Sequence, residues 1–257
     1  MMKTQLAMVI DSSKCIDCKA CTVACKVENQ VPEGHWRNWV KHAEPDADRL
    51  ARGGKDTAGH FQPGACMHCE EPTCVRACPT GATYKDEADG SIRVDSALCI
   101  GCGSCIPACP YGARYRHPEK KIVDKCDYCS ARRARGELPA CVVTCPTKAR
   151  TFGNLHDPKS EAAILMAANS TVRVANPESD TRPNMYYIGA TAPLNWPVKA
   201  QFPAPISIWA KLAKPLIWGA VGLNALGVLV MLGKQVLMAD DAPEAEDPEN
   251  QKEATHG

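Results

Sequence analysis

Sixteen of the 257 residues are cysteine, and they fall into four groups of four. Cys15, Cys18, Cys21 and Cys25 form the first group, and Cys66, Cys69, Cys74 and Cys78 the second. Cys99, Cys102, Cys105 and Cys109 form the third, and Cys126, Cys129, Cys141 and Cys145 the fourth. Groups one and three are spaced C-x2-C-x2-C-x3-C; group two widens the middle gap to four residues and group four to eleven. Pro79, Pro110 and Pro146 follow the last cysteine of groups two, three and four, whereas Lys26 stands there in group one. A cubane [4Fe–4S] cluster has four iron corners, each needing one thiolate. Cysteine at every third position of a tight loop points three sulfurs at three corners. Four such runs therefore call for four clusters, whose chemistry is electron transfer. Disulfides and structural zinc are the competing uses of the same residues. Nothing marks the chain as a small secreted scaffold that needs staples. Zinc sites use paired C-x2-C knuckles across a spacer, not four consecutive four-cysteine runs. A three-iron or lost cluster would leave a ligand missing, and all sixteen positions are cysteine.

The elements around the groups must hold them in place. The last cysteine of each run is expected to open a short helix that leads away, and the proline suits that turn because it presets φ and needs no N–H donor. Thr83-Tyr84-Lys85 and Ile92-Arg93-Val94 read as short strands around the turn Asp89-Gly90. Residues 66–109 thus resemble one bacterial two-cluster ferredoxin module. Strand-like Met8-Val9-Ile10 and Lys121-Ile122-Val123 precede groups one and four, which then pair across that inner module. The expected fold is α+β: two interleaved bacterial-ferredoxin-like modules, one inserted inside the other. In two-cluster ferredoxins the fourth cysteine of a run ligates the other cluster. That resemblance implies four ligand sets. Cys15, Cys18, Cys21 and Cys145 hold cluster 1, and Cys126, Cys129, Cys141 and Cys25 hold cluster 2. Cys66, Cys69, Cys74 and Cys109 hold cluster 3, and Cys99, Cys102, Cys105 and Cys78 hold cluster 4.

Over residues 5–155 the sequence resembles a particular family. Cys15-Ile16-Asp17-Cys18-Lys19-Ala20-Cys21, Cys66-Met67-His68-Cys69, Cys78-Pro79-Thr80-Gly81-Ala82 and Cys141-Val142-Val143-Thr144-Cys145-Pro146-Thr147 are similar to the motifs of the four-cluster electron-transfer (beta) subunit of the dimethyl sulfoxide reductase, polysulfide reductase and formate dehydrogenase family. The resemblance implies a subunit that relays electrons between a molybdenum or tungsten pterin catalytic subunit and a multi-span, quinone-binding membrane subunit. No residue performs bond chemistry, so no enzymatic activity is expected of the chain alone. A freestanding polyferredoxin carrier tethered to the membrane is the alternative.

Other residues are weighed against plainer roles. His68 sits between two cysteines but has no vacant ligand position to fill, so packing is expected. His35, His42, His60, His117 and His156 show no ligand spacing and read as surface or loop residues. The long loop 26–65 carries Trp36, Arg37, Trp39, Arg52, Gly53 and Gly54, and loops of this length are often functional; a docking face competes there with plain packing. Lys125, Arg114, Arg116 and Lys148 lie near ligands, where cations favour the reduced cluster, although solvated surface charge explains each equally well. Lysine and arginine are spread along a chain of net charge +1, which gives no electrostatic footprint for nucleic acid.

The last third is different in kind. Residues 156–205 hold no cysteine and carry scattered proline, which predicts an irregular Pro-rich extension with one short helix at 162–168. Residues 216–233 contain only Asn224 as a polar side chain. At 1.5 Å per residue they span about 27 Å, close to a bilayer core of about 30 Å. Lys211, Lys214 and Lys234 flank the span, with Trp209 and Trp218 at headgroup depth. Gly219, Ala220, Gly222 and Gly227 permit close helix packing, and Asn224 offers a hydrogen bond to a neighbouring helix. The expected divisions are a cluster domain at 1–155, the extension at 156–205, a membrane anchor at 206–238 and an acidic, disordered tail at 239–257. Asp11 cuts short the apolar run that begins at Leu6, so no signal h-region of roughly 7–15 residues forms there. The anchor resembles that of the respiratory formate dehydrogenase beta subunit. This implies an inner-membrane protein with a single C-terminal span and its cluster domain in the periplasm.

Overall fold

The structure is a computed structural model that describes residues 4–42, 61–176, 178–189, 197–201 and the helix 204–238. Arg52, Gly53, Gly54, His60 and the acidic tail lie outside the described residues, as do the side chains of Trp209, Lys211 and Lys214. The chain divides into two compact units, Met1–Pro203 and Ala204–Gly257.

The first unit is organised on β1 (Leu6–Asp11), whose apolar run Ala7-Met8-Val9-Ile10 is buried. A strand buried on both faces reads as a continuous apolar run rather than an alternating one. β1 lies inside a four-stranded sheet, antiparallel to β8 (Arg150–Asn154) on one side and parallel to β10 (Met185–Ile188) on the other; β9 (Thr171–Val172) closes the edge. The strand before cysteine group one is thereby joined to the strand after group four, with Ile10 opposite Arg150 and Leu6 opposite Asn154.

Among the described residues, three two-stranded ribbons accompany this sheet. β4 (Thr83–Lys85) and β5 (Ile92–Val94) form the expected hairpin between groups two and three. Gly90 takes φ +72° in its turn, and a Cβ there would overlap the Gln5 amide. β6 (Tyr115–Arg116) pairs with β7 (Val123–Asp124). The strand expected at 121–123 is thus shifted, because Lys121 is left-handed at φ 58°. β2 (Asn38–His42) pairs with β3 (Phe61–Ala65) inside the long loop.

The helices are short: α1 (Ala20–Glu28), α2 (Thr73–Arg76), α3 (Ser130–Arg133), α4 (Ala140–Val143) and α5 (Glu161–Ala168). They correct one expectation. In groups two and four the third cysteine, Cys74 or Cys141, lies on the helix, and the fourth follows it. Proline disfavours the α conformation in the residue before it, so Pro79 and Pro146 stop the helix short of Cys78 and Cys145. Group one has Lys26 instead, and α1 runs through Cys25 to Glu28. The Lys26 ammonium caps the following loop, donating to the carbonyls of Pro32 (2.5 Å) and His35 (3.0 Å).

Residues 156–205 are also more regular than expected. They supply α5, β9 and β10, with Met185 and Tyr187 fully buried. Met185-Tyr186-Tyr187-Ile188 has the inward-outward alternation of a strand, which the proline content obscures. Further on, Val198 and Gln201 donate main-chain bonds to Pro110 and Pro107, beside group three.

The second unit's described part is a single helix, α6 (Ala204–Met238). Pro215 lacks an N–H and interrupts its hydrogen-bond ladder. From Pro215 to Lys234 the mean hydropathy is 2.0 over 20 residues, none of them buried. The Asn224 amide donates to Ala220 O at 2.8 Å, satisfying itself within its own helix rather than offering that bond to a neighbour.

Candidate iron–sulfur centres

The four cysteine loops share one backbone device. The residue before the second cysteine is left-handed in every group: Asp17 (φ 56°), His68 (44°), Gly101 (65°) and Tyr128 (58°). Only glycine adopts this conformation without steric cost. At Gly101 it is also the only residue that fits, since a Cβ would lie 1.8 Å from Lys121 O. Bulky His68 and Tyr128 hold the conformation through packing. Their rings stack at 3.7 Å, both fully buried, and so couple groups two and four. His68 Nδ1 accepts from Ile92 N–H at 2.9 Å, and the His68 carbonyl accepts from Asn184. Burial, reinforced by Lys125 and Arg133, holds the imidazole neutral, well below its usual pKa. This is the structural role expected of His68. His117, by contrast, is buried, with Nδ1 accepting from the Glu119 and Lys120 amides; it is a cap rather than a surface side chain.

None of the sixteen cysteines is paired in a disulfide. Burial pushes the Cys25 thiol up to about 12, with Cys141 and Cys129 adding repulsion. Burial raises Cys126 as well, followed by Cys25, Cys141 and Cys66. Cys25, Cys126, Cys129 and Cys141 line one narrow cavity, together with Arg37 and Arg150. Elsewhere burial raises Cys69, with Cys66, Cys74 and Cys109 contributing. Cys109 is pushed up to about 11 by burial and then by Cys74 and Cys66. Cys78 and Cys145 move the other way. Partial burial opposes it, but Thr83 N–H donates to Cys78 Sγ at 3.4 Å and Ala149 N–H to Cys145 Sγ at 3.3 Å, and both thiols fall below the ordinary value.

Of the four cations weighed near ligands, two are inside, and Arg116 and Lys148 are exposed. Arg114 and Lys125 are 5% and 3% exposed. Arg114 Nη2 donates to Cys74 Sγ at 3.0 Å, and Lys125 Nζ is held by the carbonyls of Ile92 and Cys126. Arg150, not singled out by sequence, is 2% exposed; its three guanidinium nitrogens meet no oxygen acceptor, and the groups that favour its charge are the thiols of Cys141 and Cys21 and then Tyr187. From the long loop, Arg37 reaches Asp124 at 2.7 Å and Asn29 at 2.8 Å, so this residue packs rather than docks. Trp36 is half exposed, beneath the Lys26 ammonium.

These features fit an anionic inorganic core. Sixteen thiols match the number that four [4Fe–4S] clusters would need, and one cavity gathers four of them. A buried guanidinium without oxygen acceptors is costly unless a negative centre faces it, and a cluster with four thiolates is such a centre.

Comparison with known proteins agrees. Two family profiles, each described as a 4Fe-4S dicluster domain, match residues 57–155 and 14–82. Protein NrfC of Escherichia coli (strain K12) is 44% identical over 182 residues, covering 70% of this sequence and 79% of that one. The polysulfide reductase B subunit of Wolinella succinogenes is 42% identical over 188 residues, 73% of this sequence and 95% of its own. The thiosulfate reductase electron transfer subunit PhsB of Salmonella typhi is 45% identical over 159 residues, 61% of this sequence and 79% of its own.

Proposed function

Because this polypeptide belongs to the family of [4Fe–4S] electron-transfer subunits that includes these reductase B subunits, we propose that its sixteen cysteines hold four clusters in a nested, linear relay. The protein transfers electrons for a catalytic subunit and is not catalytic by itself. Bound clusters supply one-electron redox chemistry. The residues supply ligands, charge and insulation.

The ligand sets are Cys15, Cys18, Cys21 and Cys145; Cys126, Cys129, Cys141 and Cys25; Cys66, Cys69, Cys74 and Cys109; and Cys99, Cys102, Cys105 and Cys78. A sequential arrangement would pair group one with group two instead. Cys25 argues for nesting, because its thiol neighbours are Cys141 and Cys129 of group four. The observation that carries the relay is burial. The inner sets are buried or half-buried throughout, and Cys126 faces Cys66 across their junction. Each outer set has one exposed cysteine, Cys18 or Cys102. Apolar side chains flank both ends: Ile16 at 60% exposed and Ile100 at 66%. These ends are where partner subunits would take and deliver electrons, one a molybdenum or tungsten pterin subunit and the other a quinone-binding membrane subunit.

The interleaved-ferredoxin reading, with the Pro-rich segment 156–205 wrapped on it and α6 as a single membrane span, completes the proposal. We place the cluster domain in the periplasm and the span in the inner membrane. Protease added to spheroplasts digests the cluster domain and spares a C-terminal tag if so; the reverse pattern refutes that orientation. The nesting is tested by electron paramagnetic resonance. Cys74→Ser and Cys109→Ser are expected to alter one common signal although they lie in different motifs. Loss of two different signals refutes the ligand sets.

A further inference from the structure

The run Cys-Pro-x-x-Ala-Arg occurs twice, as Cys109-Pro110-Tyr111-Gly112-Ala113-Arg114 and as Cys145-Pro146-Thr147-Lys148-Ala149-Arg150; the third Cys-Pro run ends in Thr83 instead. Each arginine thus stands five residues after the last cysteine of its group, at the start of or just before the next strand. Both are at least nine-tenths buried. Arg114 bonds Cys74 Sγ and Thr83 Oγ1, at 3.0 and 3.1 Å, and its Nε has no partner. The negative groups facing it are Cys74 and Cys105, then Cys66 and Cys109. Those facing Arg150 are Cys141 and Cys21, then Tyr187. No carboxylate is among them. Arg37, by contrast, is neutralised by Asp124 and Asp127.

Cys74 and Cys105 belong to the proposed sets 3 and 4, and Cys141 and Cys21 to sets 2 and 1. Each guanidinium therefore faces ligands of two neighbouring sites. We propose that Arg114 and Arg150 are shared counter-cations, one for each pair of cluster sites, and that each raises the reduction potential of both members of its pair. Adding an electron makes a site more negative, and a fixed positive charge in a poorly screened interior favours that state. Arginine does not deprotonate in proteins, so the bias is permanent. The inference rests on the nested ligand sets.

The test is a redox titration, followed by electron paramagnetic resonance, on the membrane complex purified with Arg150→Gln, Arg150→Lys or Arg114→Gln. Each Gln variant is expected to lower two of the four potentials and leave the other two in place. The expected drop is a tenfold change in reduction equilibrium, which is about 59 mV for one electron. Arg150→Lys, keeping the charge, restores most of the drop. Unchanged potentials at full iron content, or equal shifts in all four, overturn the proposal. If Arg150→Gln loses iron, the proposal stands where both sites of the pair are emptied and Arg150→Lys keeps them. It falls where one site empties or the Lys variant empties equally. The cysteine variants above report separately on the ligand sets, so a failure of that reading is recognised as such.

Discussion

The two units invert each other's chemistry. The first buries charge: Arg114, Lys125 and Arg150 are inside. The second exposes grease: Leu216, Leu223, Leu226 and Leu229 on α6 are all 59–74% exposed. A buried cation needs a negative centre, and an exposed apolar helix of this length matches the thickness of a bilayer core. The first unit is therefore built for an inorganic core that the polypeptide does not itself provide, and the helix of the second is long and apolar enough to cross a bilayer.

If that contrast holds, removing the clusters should damage only one unit. Anaerobic chelation of iron from the intact protein in detergent is expected to unfold the first unit. Each guanidinium stripped of its counter-charge costs about 3–5 kcal/mol, against a typical domain stability of about 5–15 kcal/mol. Hydrogen exchange checks this: protection should vanish in β1, β8 and β10 and persist in α6. Native protein should carry about sixteen iron atoms, four per cluster.

Truncation after residue 203 is the reciprocal experiment. The shortened protein is expected to move from the membrane to the soluble fraction when expressed without partner subunits, with its iron-to-protein ratio unchanged. Iron loss on truncation would show that the units depend on each other.

A smaller effect sharpens the contrast within the first unit. Arg37→Ala leaves Asp124 and Asp127 without their cation and should cost about 3 kcal/mol, read as a lower denaturant midpoint. Arg37 lines the cavity of Cys25, Cys126, Cys129 and Cys141, so losing its charge should lower the potential of that one site rather than of a pair, by less than the roughly 59 mV that marks a tenfold change, because water screens this partly exposed side chain better.

The parts of this molecule that were legible in sequence are those that depend on local spacing. The four cysteine groups, the hairpin Thr83–Lys85 with Ile92–Val94, the helix ending at Ala168 and the apolar span beginning after Pro215 all follow from residues near one another. What escaped depends on distant contacts. A left-handed glycine at 101 is readable, but the same conformation at His68 and Tyr128 exists because the two rings, far apart in sequence, stack on one another. The burial of Arg150 requires thiols of groups one and four to face it. Its signal was nevertheless present, in the repeated Cys-Pro-x-x-Ala-Arg run.

The sheet pairing carries a consequence for synthesis. β1 is made first, yet its partners β8 and β10 lie at Arg150–Asn154 and Met185–Ile188. Proteins emerge from the ribosome N-terminal end first at about 5–20 residues per second. The hairpin between groups two and three is thus complete while β1 still waits, unpaired, for the last part of the unit to be translated. The centre of the unit is sewn first and its outer seam last, so a nascent polypeptide halted near residue 125 has all the ligands of the proposed sets 3 and 4 and half of those proposed for the rest.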